Sequence, residues 1–381
     1  MGRAPHGGGA MPPRRLNPAE KLDWLRLIRS ENVGPVTFYQ LLQRFGSAAA
    51  ALDALPELAE RAGRRRPLLV CSRGAAEREM AAVERVGARL VAWGEPDYPV
   101  ALAATDDAPP LLSLRGNAAL LARPAIAVVG ARNASANGRR FARDLALQLG
   151  GRGLVVVSGL ARGIDAAAHQ GALPTGTVAV VAGGVDVVYP EENRDLMALI
   201  AEQGAVIAEM PVGTEPQARH FPRRNRLVSG VALGVLVVEA ALRSGSLITA
   251  RFALEQGREV FAVPGSPLDP RCRGSNDLIR RGAHLTESAD DVLAELEGHL
   301  APPMLSVAPP PFEPAPPTPG TAELGAAMAR VIERLSPTPV SVDEVIRQCD
   351  LPPAVVTAVL LDLELAGRLE RQPGHQVALV G

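Results

Sequence analysis

The segment ARHFPRRNRLVSG (residues 218–230) holds four arginines, one histidine and one phenylalanine directly ahead of an apolar run. Arginine side chains bind phosphate oxygens, and an aromatic ring offers a surface on which an unpaired base can stack. A solvated basic turn between two strands would explain the arginines, but not the phenylalanine. The segment therefore predicts contact with a single-stranded nucleic acid. The formal net charge of −1 does not oppose this prediction, because the local patch sets the local potential.

Two glycine-rich turns are further candidates for binding an anion. VGARNASANG places Gly130 and Arg132 after one apolar run, and SGLARGIDAAAH places Gly159 and Gly163 after the next. Amide groups at the start of a helix can hold a phosphate, so an anion is expected at the first turn, beside the second. A dinucleotide site is disfavoured, because the first turn is not GxGxxG and no acidic residue ends the second run.

Asp165 and His169 are four residues apart, so they would share one face of a helix. One interpretation makes them an acid–base pair. No nucleophile is evident beside them, since Ser158 lies outside a GxSxG motif. The favoured interpretation is that Asp165 caps a helix.

Two other stretches bear on ligand binding. EAALRSGSLITARF places Ser244, Gly245 and Ser246 at a predicted strand-to-helix junction, where they could cap the helix or face a phosphate. The acidic residues of AGGVDVVYPEENRDL lack metal-ligand spacing and are interpreted as helix-start and solvent-facing acids. No metal site is predicted.

Composition excludes several classes of protein. Lys21 is the single lysine, so neither a Walker-type phosphate loop nor a Schiff-base enzyme is available in the central region. The three cysteines are far apart, which predicts neither a disulfide framework nor a zinc site and fits a reducing cytoplasm. No apolar run is long enough to span a bilayer, and residues 1–15 lack the apolar core of a signal peptide. We expect a cytoplasmic protein without a membrane anchor, and disorder over residues 1–15.

The candidate residues follow short apolar runs that alternate with amphipathic segments from residue 125 onward. This alternation predicts an α/β domain with a doubly wound, mostly parallel, Rossmann-like sheet, which binds ligands beyond the carboxyl ends of its strands. The predicted strands are residues 125–130, 154–159, 177–184, 205–210, 234–240 and 259–265.

The remaining chain predicts two smaller domains. Residues 16–108 are expected to form a helical domain, of helix–hairpin–helix or SAM-like type, with an irregular connector that includes one strand near 88–94. Its Val-Gly-Pro turn could present amides to a phosphate, although a plain helical turn is the favoured interpretation. The sheet domain is assigned to 109–300, and the proline-rich 301–320 to a protease-sensitive linker.

Residues 321–381 predict three helices and a short hairpin, an order that resembles a winged helix. The candidate recognition helix, PPAVVTAVLLDLELAG, is apolar and acidic and has no basic face. Interaction or regulation is therefore the favoured role for this domain over strong DNA contact.

The ordered motifs resemble the DNA processing protein A (DprA, also called Smf) family. The resemblance covers about residues 110–298. It rests on VGARNASANG, SGLARGIDAAAH, AGGVDVVYPEEN, FPRRNRLVSG, VLVVEAALRSGSLITARFALEQGREVFAVPG and GSNDLIRRGA.

The resemblance implies a protein of natural transformation that binds and protects incoming single-stranded DNA, dimerises and loads the RecA recombinase. It implies an extended Rossmann fold without a nucleotide cofactor or catalytic residue. The turn arginine that contacts DNA in the family falls on Arg132, and the aromatic and basic loop contacts fall near Phe221. The full predicted nucleic-acid-binding set is Gly130, Arg132, Gly159, Gly163, Arg219, Phe221, Arg223, Arg224, Asn225, Arg226, Ser244, Gly245 and Ser246.

The alternative function is a Rossmann-like hydrolase that cleaves nucleoside monophosphates. Such proteins typically carry a PGGxGT-type motif with a catalytic glutamate. This chain has AGGVDVVYP and PGSPLDP instead, so the binding protein is the favoured interpretation.

Overall fold

The computed structural model describes residues 15–64, 66–300, 321–372 and 374–380, and these form two compact units. The sheet unit contains Arg15 and the described residues from Glu79 to 300, and the helical unit contains residues 16–78 and those from 321 onward. The disorder predicted for the first residues and the linker predicted at 301–320 lie outside the described residues, except for Arg15. No helix in the described ranges is long and apolar enough to cross a membrane.

The sheet unit is built on nine strands in the spatial order β1-β2-β6-β5-β4-β3-β7-β8-β9. The seven strands β3 to β9 are parallel to one another. Strand β2 runs antiparallel to both of its neighbours, β1 and β6. The predicted doubly wound, mostly parallel sheet is confirmed. The strands are β1 (Arg89–Ala92), β2 (Leu111–Gly116), β3 (Ala125–Val129), β4 (Val155–Ser158), β5 (Thr177–Val180), β6 (Ala205–Ala208), β7 (Gly234–Val237), β8 (Glu259–Ala262) and β9 (His284–Leu285).

Helices cover both faces of this sheet. Along β3, Ile126 and Val128 pack in one cluster with residues of α6, α7 and α12, while Ala127 and Val129 pack in the opposite cluster with residues of α9 and α10. Burial on both faces explains why these strands read as continuous apolar runs. The helices of this unit are α5 (Val100–Ala103), α6 (Ala136–Gly151), α7 (Ile164–Ala172), α8 (Arg194–Gln203), α9 (His220–Val231), α10 (Gly245–Glu255), α11 (Arg273–Arg280) and α12 (Ala289–Leu300), and α4 (Arg73–Arg85) spans the division between the units.

Two local predictions are wrong. The irregular connector predicted within residues 16–108 contains the helix α4, and its predicted strand, β1, belongs to the sheet beside β2. The resemblance implies loop contacts near Phe221 in the segment 218–230, but most of this segment forms the helix α9. Pro222 is tolerated there because it occupies the first turn, where backbone N–H groups have no partner within the helix.

The helical unit contains two modules that are distant in the sequence. The N-terminal module consists of α1 (Pro18–Arg29), α2 (Pro35–Phe45) and α3 (Ala48–Arg61). The C-terminal module has the helix–strand order of a winged helix and confirms that prediction. Its elements are α13 (Thr321–Glu333), β10 (Val340–Ser341), α14 (Val342–Cys349), α15 (Pro353–Leu365), β11 (Leu369–Gln372) and β12 (Gln376–Leu379).

Candidate nucleic-acid interface

Three segments of the sheet unit meet beyond the carboxyl ends of the central strands. These are the turn after β3, the loop after β4 and the start of α9, which precedes β7. Together with the segment after β5 they line one pocket, called the edge pocket. Its lining residues are Arg132, Gly159, Ala161, Arg162, Tyr189, Pro190, Phe221 and Arg224. The structure therefore brings together four residues of the predicted set, Arg132, Gly159, Phe221 and Arg224.

Phe221 lies between a guanidinium and a second aromatic ring. The Cζ atom of Arg132 is 5.1 Å from the centroid of the Phe221 ring, a cation–π distance. The Tyr189 and Phe221 ring centroids are 5.6 Å apart with an interplanar angle of 54°. Tyr189 is 48% exposed, so its ring is open to solvent. These three residues, called the aromatic cluster, form a surface on which a flat ring can stack.

Arg224 forms a buried positive charge beside the edge pocket. Its side chain is only 6% exposed, and it occupies space that a Cβ atom at Gly159 would fill. Nη1 donates to the Val180 carbonyl at 3.0 Å, whereas Nε has no hydrogen-bond partner among the described residues. Burial lowers the pKa of Arg224 to about 10, which still leaves the guanidinium charged at neutral pH. Its charge interacts with the buried Asp165 carboxyl, and the hydrogen-bond donors that Asp165 and Val180 do not use favour an anion in the pocket.

The loop after β4 contains a residue, Leu160, in the left-handed backbone conformation, which is unfavourable for a leucine. Leu160 has a φ of +57°, a region that costs a leucine about 1–3 kcal/mol. The Asp165 carboxylate accepts from the amides of Gly159 at 3.1 Å and Ala161 at 3.3 Å, and Asn193 donates to the Leu160 carbonyl at 2.9 Å. These contacts fix the wall of the pocket before any ligand arrives.

The contacts of Asp165 correct its interpretation as a cap of its own helix. Gly163, at a φ of +76°, occupies the N-cap position of α7, and Asp165 binds amides of the loop that precedes this helix. The alternative acid–base pair is not formed, because the ring of His169 bonds to Thr177 instead. Burial raises the pKa of the Asp165 carboxyl. Asp165 therefore positions the loop.

His169 is fully buried and neutral. Thr177 donates its hydroxyl proton to the Val156 carbonyl at 2.8 Å, so its oxygen accepts from Nδ1–H of His169 at 2.7 Å. Nε2 then carries the lone pair, and this atom has no partner within the described part of the chain. Burial, followed by the charge of Arg224, lowers the pKa of His169 to about 3.

Acid is expected to destabilise the sheet unit through His169. The unfolded chain binds a proton near pH 6.5, whereas the folded chain does so only near pH 3. The stabilisation is therefore complete above pH 6.5 and decreases by about 1.4 kcal/mol per pH unit below it. His169→Asn retains a donor for Thr177, so from pH 6.5 to 5 it should lose about 2 kcal/mol less than the wild type.

The measurement is unfolding free energy from hydrogen exchange of the β4 amides at the two pH values. His375→Asn, which removes an exposed histidine of the helical unit, is the matched control and should behave as the wild type. Equal pH dependence in wild type and His169→Asn would contradict the assignment.

The first glycine-rich turn does not offer its helix start to an anion, which corrects that expectation. The Glu239 carboxylate accepts from Ser135 N at 2.9 Å and from Ser135 Oγ at 2.5 Å, at the N-terminus of α6. Glu239 is 7% exposed and comes from the end of β7. A phosphate at this position would face a carboxylate. Gly130 likewise serves close packing, since a Cβ atom there would lie 2.6 Å from Cγ1 of Ile164.

The four arginines of the opening segment divide into two pairs. Arg219 and Arg223 are exposed at the start of α9, whereas Arg224 and Arg226 are buried. Arg226 binds Glu209 at 2.6 Å and the Asp107 carbonyl at 2.5 Å, which corrects its assignment as a phosphate contact. Its guanidinium is committed to the protein.

The predicted residues at the start of α10 do not line the edge pocket. The Ser244 and Ser246 hydroxyls are 2.6 Å apart, and Ser244 caps the helix by accepting from Ser246 N. Asn225 donates to the Gly245 carbonyl at 3.3 Å, which joins α9 to α10. This group links two helices at the same edge of the sheet.

Sequence reasoning missed four lining residues of the edge pocket, and two of them, Arg162 and Tyr189, have side chains suited to a nucleic acid. Arg162 lies between two glycines in SGLARG and forms an exposed ion pair of 3.5 Å with Glu192. Tyr189 follows β5 in VVYPEEN, where an aromatic residue beyond a strand end was a usable signal. Within the described ranges, no group of three or more His, Cys, Asp or Glu side chains is placed to hold a metal ion.

Three family models match separate parts of the chain. Residues 89–297 match the family model described as DNA recombination-mediator protein A. Residues 18–82 match a DprA-like N-terminal HHH domain, and residues 314–375 match a DprA winged helix domain.

Individual relatives agree with these matches. The chain is 42% identical to Protein Smf of Escherichia coli over 74% of this chain and 75% of that protein, and 48% identical to DNA processing protein DprA of Streptococcus pneumoniae over 52% and 71%. The crystal structure of S. pneumoniae DprA superposes with a TM-score of 0.61 at 36% identity, covering 72% of this chain and 97% of that one. A Helicobacter pylori structure that concerns its single-stranded DNA binding mode has a TM-score of 0.50 at 30% identity, covering 53% and 93%.

Proposed function

The chain belongs to the DNA recombination-mediator protein A (DprA/Smf) family, and we propose that it is a single-stranded DNA-binding protein of natural transformation and recombination. The aromatic cluster beside the buried charge of Arg224 carries the proposal. The single-stranded DNA binding described for the H. pylori relative supports it.

The proposed mechanism divides the work between bases and phosphates. An unpaired base stacks on the aromatic cluster, whose exposed edge is the Tyr189 ring. The exposed guanidinium groups of Arg132, Arg219 and Arg223 bind the phosphates on either side of that base. The buried guanidinium of Arg224 is a fixed charge in the wall of the edge pocket and stabilises a phosphate at the mouth of this pocket.

The chain is expected to bind a single strand about tenfold or more tightly than a duplex of equal length, because paired bases cannot stack on the aromatic cluster. The measurement is a titration with both forms at about 50 and 200 mM salt. Both affinities should decrease with salt, and the preference for the single strand should persist. Equal affinity for the two forms at both salts would contradict the stacking mechanism.

The proposal extends to the consequences of binding. The protein protects the strand and loads the RecA recombinase onto it, acting as a cytoplasmic homodimer without a cofactor or enzymatic activity. The family's description as a recombination mediator supports the RecA step. Light scattering tests the dimer, and RecA ATPase activity on protein-coated single strands tests the loading. Release of free base from nucleoside monophosphates would contradict the non-enzymatic role and favour the hydrolase.

A further inference from the structure

Helix α15 of the winged-helix module is buried on two sides. Val356 and Val359 pack in the core of their own module, with α13 and α14. Leu361 and Leu365 instead pack in the core of the N-terminal module, among residues of α1, α2 and α3. In a winged helix this third helix normally enters the major groove of DNA. Here its outer face lies against the chain's own N-terminal helices.

Polar contacts fix the position of α15 on the N-terminal module. Asp362 is fully buried, and its Oδ1 atom lies 3.3 Å from Nη1 of Arg44 on α2. Beyond the end of α15, Arg368 donates to the Ala62 carbonyl at 3.2 Å, and Arg371 on β11 donates to the Gln40 side chain at 3.3 Å. These directional contacts join α15 and β11 to α2 and to the residue that follows α3.

The N-terminal module uses its hairpin for the same contact. Asn32 lies in the turn between α1 and α2, and its side chain donates to the Leu365 carbonyl at 3.1 Å. The neighbouring Glu31 binds Arg64 at 2.7 Å and accepts from the Leu69 amide. This is the turn that would otherwise present amides to a phosphate. This turn instead carries the Glu31 carboxylate and contacts the winged helix through Asn32.

Charge also opposes nucleic-acid binding by α15. The helix PAVVTAVLLDLEL contains no arginine or lysine, and its two charged residues are Asp362 and Glu364. Duplex DNA carries one negative charge per about 1.7 Å of its axis, so an acidic helix is repelled from the groove. Glu364 is in addition paired with Arg371 at 2.8 Å.

We propose that the two modules, each of a type that commonly contacts nucleic acid, dock to each other through the elements that would make those contacts. The outer face of the recognition helix, α15, is covered by this chain's own helix–hairpin–helix module. The helical unit then forms one body that contacts no DNA in the native chain. All contacts to a single strand come from the sheet unit.

Charge reversal in the full-length protein tests the docking. Arg44→Asp or Asp362→Arg places like charges in a buried contact, so hydrogen exchange of the α15 amides should accelerate by about 100-fold or more. The double variant restores the opposite charges, and its exchange should return to within about tenfold of the wild type. The β3 amides of the sheet unit are the internal control and should not change. Unchanged α15 exchange in both single variants would overturn the docking.

Photocrosslinking of the wild-type chain to a photoreactive single strand tests, without any variant, whether the helical unit contacts DNA. Crosslinked peptides should come from the sheet unit alone, around Tyr189 and Phe221. Crosslinks in residues 16–64 or 321–380 would overturn the proposal. Loss of all crosslinks at the edge pocket would instead contradict the proposed function, so the two failures are distinguishable.

Discussion

Arg226→Ala is expected to lower the free energy of unfolding of the sheet unit by about 3–5 kcal/mol. The Arg226 and Glu209 side chains are 8% and 10% exposed, and their ion pair joins α9 to the end of β6. Removing the arginine takes away the opposite charge that Glu209 contacts at 2.6 Å inside the protein, which costs more than the pair itself contributes. The measurement is the denaturant midpoint and slope for the sheet unit, followed through the β3 amides.

A matched control is available in α10. Arg251 pairs with Glu255 at 3.4 Å, but this arginine is 59% exposed, so Arg251→Ala should cost less than about 1 kcal/mol. Folded Arg226→Ala should also retain the wild-type salt dependence of single-strand binding. A stability loss no larger than that of the control would show that the Glu209 contact is unimportant.

The sequence predicted β3 to β8 because these strands lie in short β-branched runs, most of which end in glycine or proline. It failed at α9, because the arginines and the proline of that helix hide any apolar periodicity. Once the helix is known, its period explains the arginines: Arg219 and Arg223 are four residues apart and lie on the exposed side. Arg224 and Arg226 point into the protein. Composition alone cannot make this distinction.

Residues of the site were predicted only where a single sequence motif indicates their role in binding. Arg132 and Phe221 each lie in a recognisable segment, and the structure places them in contact. Tyr189 joins them through folding from a separate segment after β5, so no local pattern paired it with Phe221. Glu239 was missed for the same reason, because a carboxylate at a strand end gives no sign that it will occupy the start of another helix.

Phe221→Ala and Arg223→Ala are expected to weaken single-strand binding in different ways. Loss of the Phe221 ring removes a stacking surface but no charge, so affinity should decrease by about 1–3 kcal/mol with an unchanged salt slope. Loss of Arg223 removes one phosphate contact, so the slope of log affinity against log salt should flatten by about 0.7. Both side chains lie at the start of α9, which makes each variant a control for local damage to the helix.

Arg132→Ala should combine the two effects. Its guanidinium is exposed and also lies 5.1 Å from the Phe221 ring centroid, so the variant loses a phosphate contact and one side of the aromatic cluster. Its loss of affinity should exceed that of Arg223→Ala at high salt, where the phosphate contribution is weakest and stacking remains. The measurement is a salt series with one oligonucleotide on variants of unchanged melting temperature. If Arg132→Ala and Arg223→Ala converge at high salt, Arg132 serves as a phosphate ligand alone and the cation–π contact contributes nothing to binding.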